Sequence, residues 1–186
     1  IGPSVGVQAA YNRKPISAVI YDGIEDDGSE RGCIHVTHRA IGQGCENVEL
    51  HPGETLLLDM GQNIVGRPSL TFRAPKDTTL QVYFAEMCND SGDPSRHGDG
   101  PKGSAYLENY RSALARIVYI SDGSPVADFS PKHVFYGYRY LEITVDQVTQ
   151  IEAVVGEILS SNLRQTSSFS CSDAEVNQLF SNILWG

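Results

Sequence analysis

Apolar and polar residues alternate along much of this chain with a period of two, the spacing of side chains on the two faces of a strand. The clearest case is Phe135–Val145, which reads Phe-Tyr-Gly-Tyr-Arg-Tyr-Leu-Glu-Ile-Thr-Val. Its aromatic and β-branched residues suit a pleated sheet. As one unbroken strand it sets Arg139, Leu141, Ile143 and Val145 on one face, and Tyr136, Tyr138, Tyr140 and Glu142 on the other. Thr78–Met87 repeats the pattern, with Leu80, Val82, Phe84 and Glu86 on one side. Further strands are predicted over Ile16–Tyr21, Cys33–Ala40, Glu54–Met60, Ser69–Arg73, Arg116–Ser121 and Ile151–Leu159. Phe129–Val134 leads into the strand at Phe135, and Ile1–Ala10 holds a short edge strand. Gly61-Gln62-Asn63 interrupts the apolar run after Met60 and is read as a bulge or a turn.

Some ten strands punctuated by Gly, Pro and Asp, with almost no helix, describe an all-β fold, an antiparallel β-sandwich. The tail differs. Ser172-Asp173-Ala174-Glu175 has the form of a reciprocal capping box, with Ser172 at the cap and Glu175 three residues on. Val176, Leu179, Phe180, Ile183 and Leu184 follow at helical spacing, so a C-terminal α-helix is predicted from Asp173 to Trp185. Its apolar stripe needs a surface to cover it.

The 186 residues suit one domain, or one domain and a fragment of the next. The chain opens at Ile1 without Met and closes just after the helical stripe, so it is expected to be a piece of a longer protein. A net charge of −9 argues against binding nucleic acid or an anionic membrane surface. No apolar run approaches the roughly 20 residues of a membrane span. Four cysteines are widely spaced, and Cys33–Cys45 is the one pairing considered for an oxidising compartment. The acidic stretch Asp22–Gly32 and the residues Asp90, Asp93 and Asp99 of the long loop Cys88–Gly103 are read as solvated rather than metal-bound. His35 and His38 face opposite sides of a strand and do not chelate one ion.

Two groupings carry candidate chemistry. Arg139 on an apolar strand face requires a partner, because an unpaired buried charge costs several kcal/mol, roughly. Glu86, which ends the apolar face of Thr78–Met87, is the expected partner in a structural ion pair, and Arg111 is the second choice for Glu86. The alternative is that both charges reach solvent on their long stems. Tyr136, Tyr138 and Tyr140, spaced every second residue, would form a row for stacking on sugar rings or for packing against a neighbouring layer. No phosphate loop, nucleophile elbow or zinc-protease helix is present. No catalytic residue, metal or cofactor is assigned.

The order of several short motifs resembles the bacterial α-L-rhamnosidases. Asp59-Met60-Gly61-Gln62-Asn63-Ile64-Val65-Gly66 is similar to that family's Asp-Phe-Gly-Gln-Asn-hydrophobic-Val-Gly block, and Tyr83-Phe84-Ala85-Glu86 to its His-Ala-Glu strand end. Residues 106–113 resemble its Tyr-x-Glu-Asn-Leu-Arg-Ser-Ala stretch, Phe129-Ser130-Pro131 its Phe-x-Pro, and Tyr136-Gly137-Tyr138-Arg139-Tyr140 its His-Gly-Phe-Arg-Tyr strand. Ser168–Ser172 and Asn182–Gly186 resemble the opening of its helical domain. Arg67 stands where an aromatic is usual, and residues 1–50 match only loosely.

The resemblance implies a jelly-roll, concanavalin-like sandwich over residues 1–168, and over 169–186 the first helix of a truncated (α/α)6 catalytic barrel. It implies that the parent enzyme hydrolyses terminal α-L-rhamnosides with inversion, from an acid and a base in the barrel, so that this part is non-catalytic. The barrel would be its partner, and the compartment periplasmic or extracellular. The alternatives are a carbohydrate-binding module for rhamnose-containing glycans, and a homodimer formed through the terminal helix.

Overall fold

The computed structural model describes residues 6–40, 46–90, 100–108, 113–161 and 163–185, with ten strands and one helix among them. The architecture turns on β5 (Thr55–Arg73), nineteen residues long. Every even-numbered residue of β5 from Leu56 to Phe72 except Gln62 is buried, so one period-two pattern continues on both sides of Gly61-Gln62-Asn63. The N-terminal half of β5 pairs with β2 (Ser17–Glu25) and β9 (Tyr136–Val145). The C-terminal half pairs with β10 (Thr149–Ser160) and β8 (Ala127–Phe129). All these pairings are antiparallel.

β2 is flanked by β3 (Cys33–Ala40), and β9 by β6 (Thr79–Ala85) and then β7 (Arg116–Ile120). The other edge of β10 takes β4 (Glu46–Leu50) and β1 (Gln8–Arg13). β5 therefore belongs to both layers of the sandwich. One continuous core lies between them, including Ile20, Leu50, Leu58, Met60, Phe72, Phe84, Leu141 and Ile151.

Two expectations are corrected here. Glu54–Met60 and Ser69–Arg73 are parts of one strand, and the interruption at Gly61-Gln62-Asn63 is a bulge inside it. Asp59 stands opposite Tyr140 and Ile64 opposite Tyr138, so Met60–Asn63 face the single residue Arg139. The second correction concerns the faces of β9. Tyr138 and Leu141, three apart, both enter the interlayer core, so Arg139 and Tyr140 fall together on the outer side. The tyrosine row does not exist. Tyr136 stacks on Phe84 at 4.1 Å between ring centroids, and Tyr138 meets the same ring edge-on at 5.2 Å. Tyr138 is 0% exposed and cannot stack on a sugar; Tyr140 packs on the opposite face of the sheet.

That outer face carries a second, smaller cluster of Leu57, Ala85 and Ala105, with Val19, Tyr21, Cys88, Leu107 and Tyr140 against it. Its cover comes from residues 100–108, tied down by hydrogen bonds from Asn89 N–H to the Ser104 carbonyl and from Tyr106 N–H to the Met87 carbonyl. Among the described residues Cys33, Cys88 and Cys171 are free thiols. Cys45, Asp93, Asp99 and Arg111 lie outside the described residues.

Helix α1 (Ala174–Trp185) starts one residue after the expected Asp173 and has a different cap. Asp173 Oδ1 accepts hydrogen bonds from the N–H groups of Glu175 at 2.9 Å and Val176 at 3.3 Å. A carboxylate one residue after Ser172 is the stronger acceptor and complements the positive end of the helix. Asn177 secures the turn before it, its side chain bonding both the N–H and the carbonyl of Cys171. No residue of α1 is buried. Among the described residues no helix is long and apolar enough to cross a membrane.

Two substitutions test the packing. The buried Tyr138 hydroxyl has no hydrogen-bond partner among the described residues, so Tyr138→Phe removes a desolvation penalty. It is expected to raise stability by about 1 kcal/mol, read from urea denaturation; a loss would contradict the burial. Gly66 crosses β10 so closely that a Cβ would overlap the carbonyl oxygen of Glu157. Gly66→Ala is expected to cost about 3 kcal/mol in the same assay.

Candidate functional site

The bulge in β5 gathers the polar side chains that the sandwich places with most definition. Asp59 Oδ1 and Oδ2 accept from Arg139 Nε and Nη2, both at 2.9 Å, a bidentate pair. The same carboxylate accepts from the N–H of Gly61 at 2.6 Å. Gly61 has φ +78°, a backbone conformation natural to glycine, which lets the chain turn back onto Asp59. Arg13 Nε donates to the Met60 carbonyl at 2.6 Å, and Ile16 N–H to that of Asp59 at 2.8 Å. The bulge is thus tied to β9 on one side and to the segment joining β1 and β2 on the other.

The expected partner of Arg139 is corrected by this geometry. β6 ends at Ala85, opposite Tyr140, and Glu86 turns off beyond the strand into an exposed bend. Asp59, opposite Tyr140 from the other flank of β9, takes the guanidinium instead. Glu86 accepts from Asn63 Nδ2 at 3.1 Å, so it too serves the bulge. The Arg139 guanidinium also lies 5.1 Å from the centre of the Tyr140 ring.

Electrostatics make this a clamp rather than a proton-transfer centre. Burial pushes the Asp59 carboxyl up, but the hydrogen bonds from Arg139 and Gly61 and the charges of Arg139 and Arg13 outweigh it. The group is held below its ordinary value of 3.8. Asp59 in turn raises Arg139, chiefly through their hydrogen bonds. Burial pushes the nearby Cys88 thiol up to about 12, leaving it protonated and unreactive at neutral pH. Among the described residues no three His, Cys, Asp or Glu side chains converge as metal ligands would.

The clamp reaches α1. Trp185 Nε1 donates to the carbonyl of Asn63 at 3.1 Å, and its ring lies 5.6 Å from that of Tyr11. Phe180 meets Phe169, 5.4 Å between ring centroids, from the segment before the helix. Val176, Leu179 and Ile183 remain 41%, 58% and 67% exposed, so most of the apolar stripe faces outward.

One buried acid was not singled out from the sequence. Glu142, on the outer side of β9, is 8% exposed and accepts from Tyr21 Oη at 2.6 Å and from the Ala105 N–H at 2.8 Å. It joins β2, β9 and the covering segment. The available signal was a carboxylate set between Leu141 and Ile143 in an otherwise apolar run.

Comparison with known proteins bears on this arrangement directly. The family profile described as "Bacterial alpha-L-rhamnosidase concanavalin-like domain" matches residues 49–163, which takes in the bulge, Arg139 and Glu142. The chain belongs to that family. An alpha-L-rhamnosidase of Formosa agariphila is 33% identical to this concanavalin-like domain over 136 residues, 72% of the chain and 14% of that protein. One from Streptomyces avermitilis is 32% identical over 139 residues, 74% of the chain and 12% of that protein. The fold matches the alpha-L-rhamnosidase structure from Dictyoglumus thermophilum with a TM-score of 0.66 and 22% identity, over 96% of this chain and 16% of that one. This rhamnosidase-family domain thus spans about one-seventh of the length of the relatives it matches.

Removing the Asp59 carboxylate leaves Arg139 and the Gly61 N–H without their shared acceptor. Asp59→Ala is expected to cost about 2 kcal/mol in urea, below the buried-pair figure because 38% of the Arg139 side chain meets water. The sign of the pH effect follows from the lowered folded-state pKa. The stabilisation is complete above the ordinary carboxylate value and is lost as pH falls through the lower folded value. Asp59→Ala should therefore flatten the acid limb of the stability profile below about pH 4; an unchanged limb would count against the clamp.

Proposed function

We propose that the chain is a non-catalytic sandwich domain of an α-L-rhamnosidase, and that its work is to brace a helical catalytic domain through α1. The observation that carries this is the state of α1, whose last residue is pinned to the bulge while Val176, Leu179, Ile183 and Leu184 of its apolar stripe stay exposed. A stripe of that kind is covered in a finished protein. The relatives extend far beyond the length of this chain, which supports further helices of the same polypeptide as the cover. In this view residues 1–168 form the sandwich and 169–186 begin the next domain. The parent enzyme would cleave terminal α-L-rhamnosides with inversion, from two carboxylates spaced to admit a water molecule.

The acids within this chain fit bracing better than hydrolysis. Asp22 and Glu142 border one cavity, but both are held as acceptors. His35 Nδ1 lies 2.6 Å from Asp22 Oδ1, and Glu142 receives Tyr21 and Ala105. A general acid must instead hold a proton at neutral pH.

Two measurements test the bracing role. The pure chain is expected to release no nitrophenol above the buffer blank from a nitrophenyl α-L-rhamnoside, and turnover would overturn the assignment. Trp185 is the only tryptophan, so its fluorescence reports whether α1 is docked. Leu179→Asp together with Ile183→Asp should leave that emission unchanged in this chain, since both residues are exposed. In a protein extended to the length of the relatives the same pair should abolish most of the activity. Full activity there would show that the stripe braces nothing.

A further inference from the structure

The outer face of the first layer holds a cavity of about 420 Å³, bordered by β2, β9 and the covering segment. That volume lies within the range of small-molecule sites. Tyr21, Asp22 and Gly23 contribute from β2, Glu142 from β9, and Pro101 and Leu107 from the cover. It lies on the opposite side of the sheet from the interlayer core and is not part of the clamp at Asp59.

We infer that this cavity binds a single neutral sugar unit of the L-rhamnose type. A carboxylate on the outer side of a strand would ordinarily be solvated, yet Glu142 is 8% exposed and forms part of the cavity wall. With Asp22 it supplies two carboxylates, and among the described residues no Lys, Arg or His side chain lines the space. Two carboxylates in the wall disfavour an anion. Hydroxyl donors suit the site, because Glu142 already receives two hydrogen bonds and its charge is partly spread over Tyr21 and Ala105. Pro101, Leu107 and the Tyr21 ring offer apolar surface to the C–H face and methyl group of a deoxy sugar.

Tyr21 is fixed for this task by its bond to Glu142, and Asp22 by His35, which also lies 3.5 Å from Glu25. The site is therefore built before a ligand arrives. The choice of sugar rests on the rhamnosidase reading given above, whereas the cavity is a matter of geometry and is independent of the bracing role.

The test is titration of the ¹⁵N-labelled chain with L-rhamnose, with L-mannose, which carries a hydroxyl in place of the rhamnose methyl hydrogen, and with ethylammonium. L-Rhamnose should shift the amides of Gly23, Gly53 and Ala105 saturably, and L-mannose should bind at least about fivefold more weakly. Glu142→Gln should weaken rhamnose binding about tenfold. Gly23 has open space around its Cβ position, so Gly23→Phe fills the cavity without disturbing the sandwich and should abolish binding. The spectrum itself reports whether either variant is folded, and if Glu142→Gln is not, Gly23→Phe decides. No saturable shift, shifts that persist in Gly23→Phe, or saturation by ethylammonium but not by rhamnose would each overturn the proposal. Lack of binding together with lack of turnover would remove the sugar site alone and leave the bracing role standing.

Discussion

The sandwich depends on a long strand changing layers without losing its place. β5 serves both sheets, and a strand that does so must bend where its backbone partners change. At that point Met60–Asn63 leave the ladder opposite Arg139, and their polar groups need other partners. Asp59 answers most of that need, binding the guanidinium through both oxygens and the N–H of Gly61 through one of them. Arg13 takes the Met60 carbonyl, and Trp185 the Asn63 carbonyl. An ion pair in this position acts less as a source of net stability than as a fastener that selects one geometry for the bulge.

A second polar fastener holds the other side of the same sheet. Glu142 joins β2 to the covering segment through Tyr21 and Ala105, over a small apolar cluster separate from the main core. The two carboxylates divide the work: Asp59 ties the bulge where the layers connect, and Glu142 ties down the cover of the outer face. Asp59, held below its ordinary value, does not have the environment of a proton donor. The sandwich carries a cavity on this flank, and α1 presents exposed apolar residues on its surface.

Much of this was legible in the sequence. β3 has the expected bounds, Cys33–Ala40, and α1 is displaced from its expected start by a single residue. The bulge was harder to see, for a reason of parity. Four residues inserted in β5 leave its even positions facing inward, so the alternation survives on both sides and conceals the break. The one extra residue in β9 has the opposite effect: it moves Tyr138 inward and Arg139 outward, against an alternation counted along the strand. The partner of Arg139 was ambiguous because Asp59 and Ala85 flank the same Tyr140 from two sides, with Glu86 one residue further on. Glu142 was missed because Tyr21 and Ala105, which bond it, lie 121 and 37 residues away. The family motif that resembles this strand has Phe at the position of Tyr138, which agrees with a hydroxyl that finds no partner among the described residues.

The most direct test of the central claim is a double-mutant cycle between Asp59 and Arg139, using Asp59→Asn and Arg139→Gln, with stability read from urea denaturation. If their ion pair fixes the bulge, the two changes should share a coupling energy of about 1–2 kcal/mol. Effects that simply add, to within about 0.3 kcal/mol, would mean that the crossover is held by its backbone and its core contacts alone.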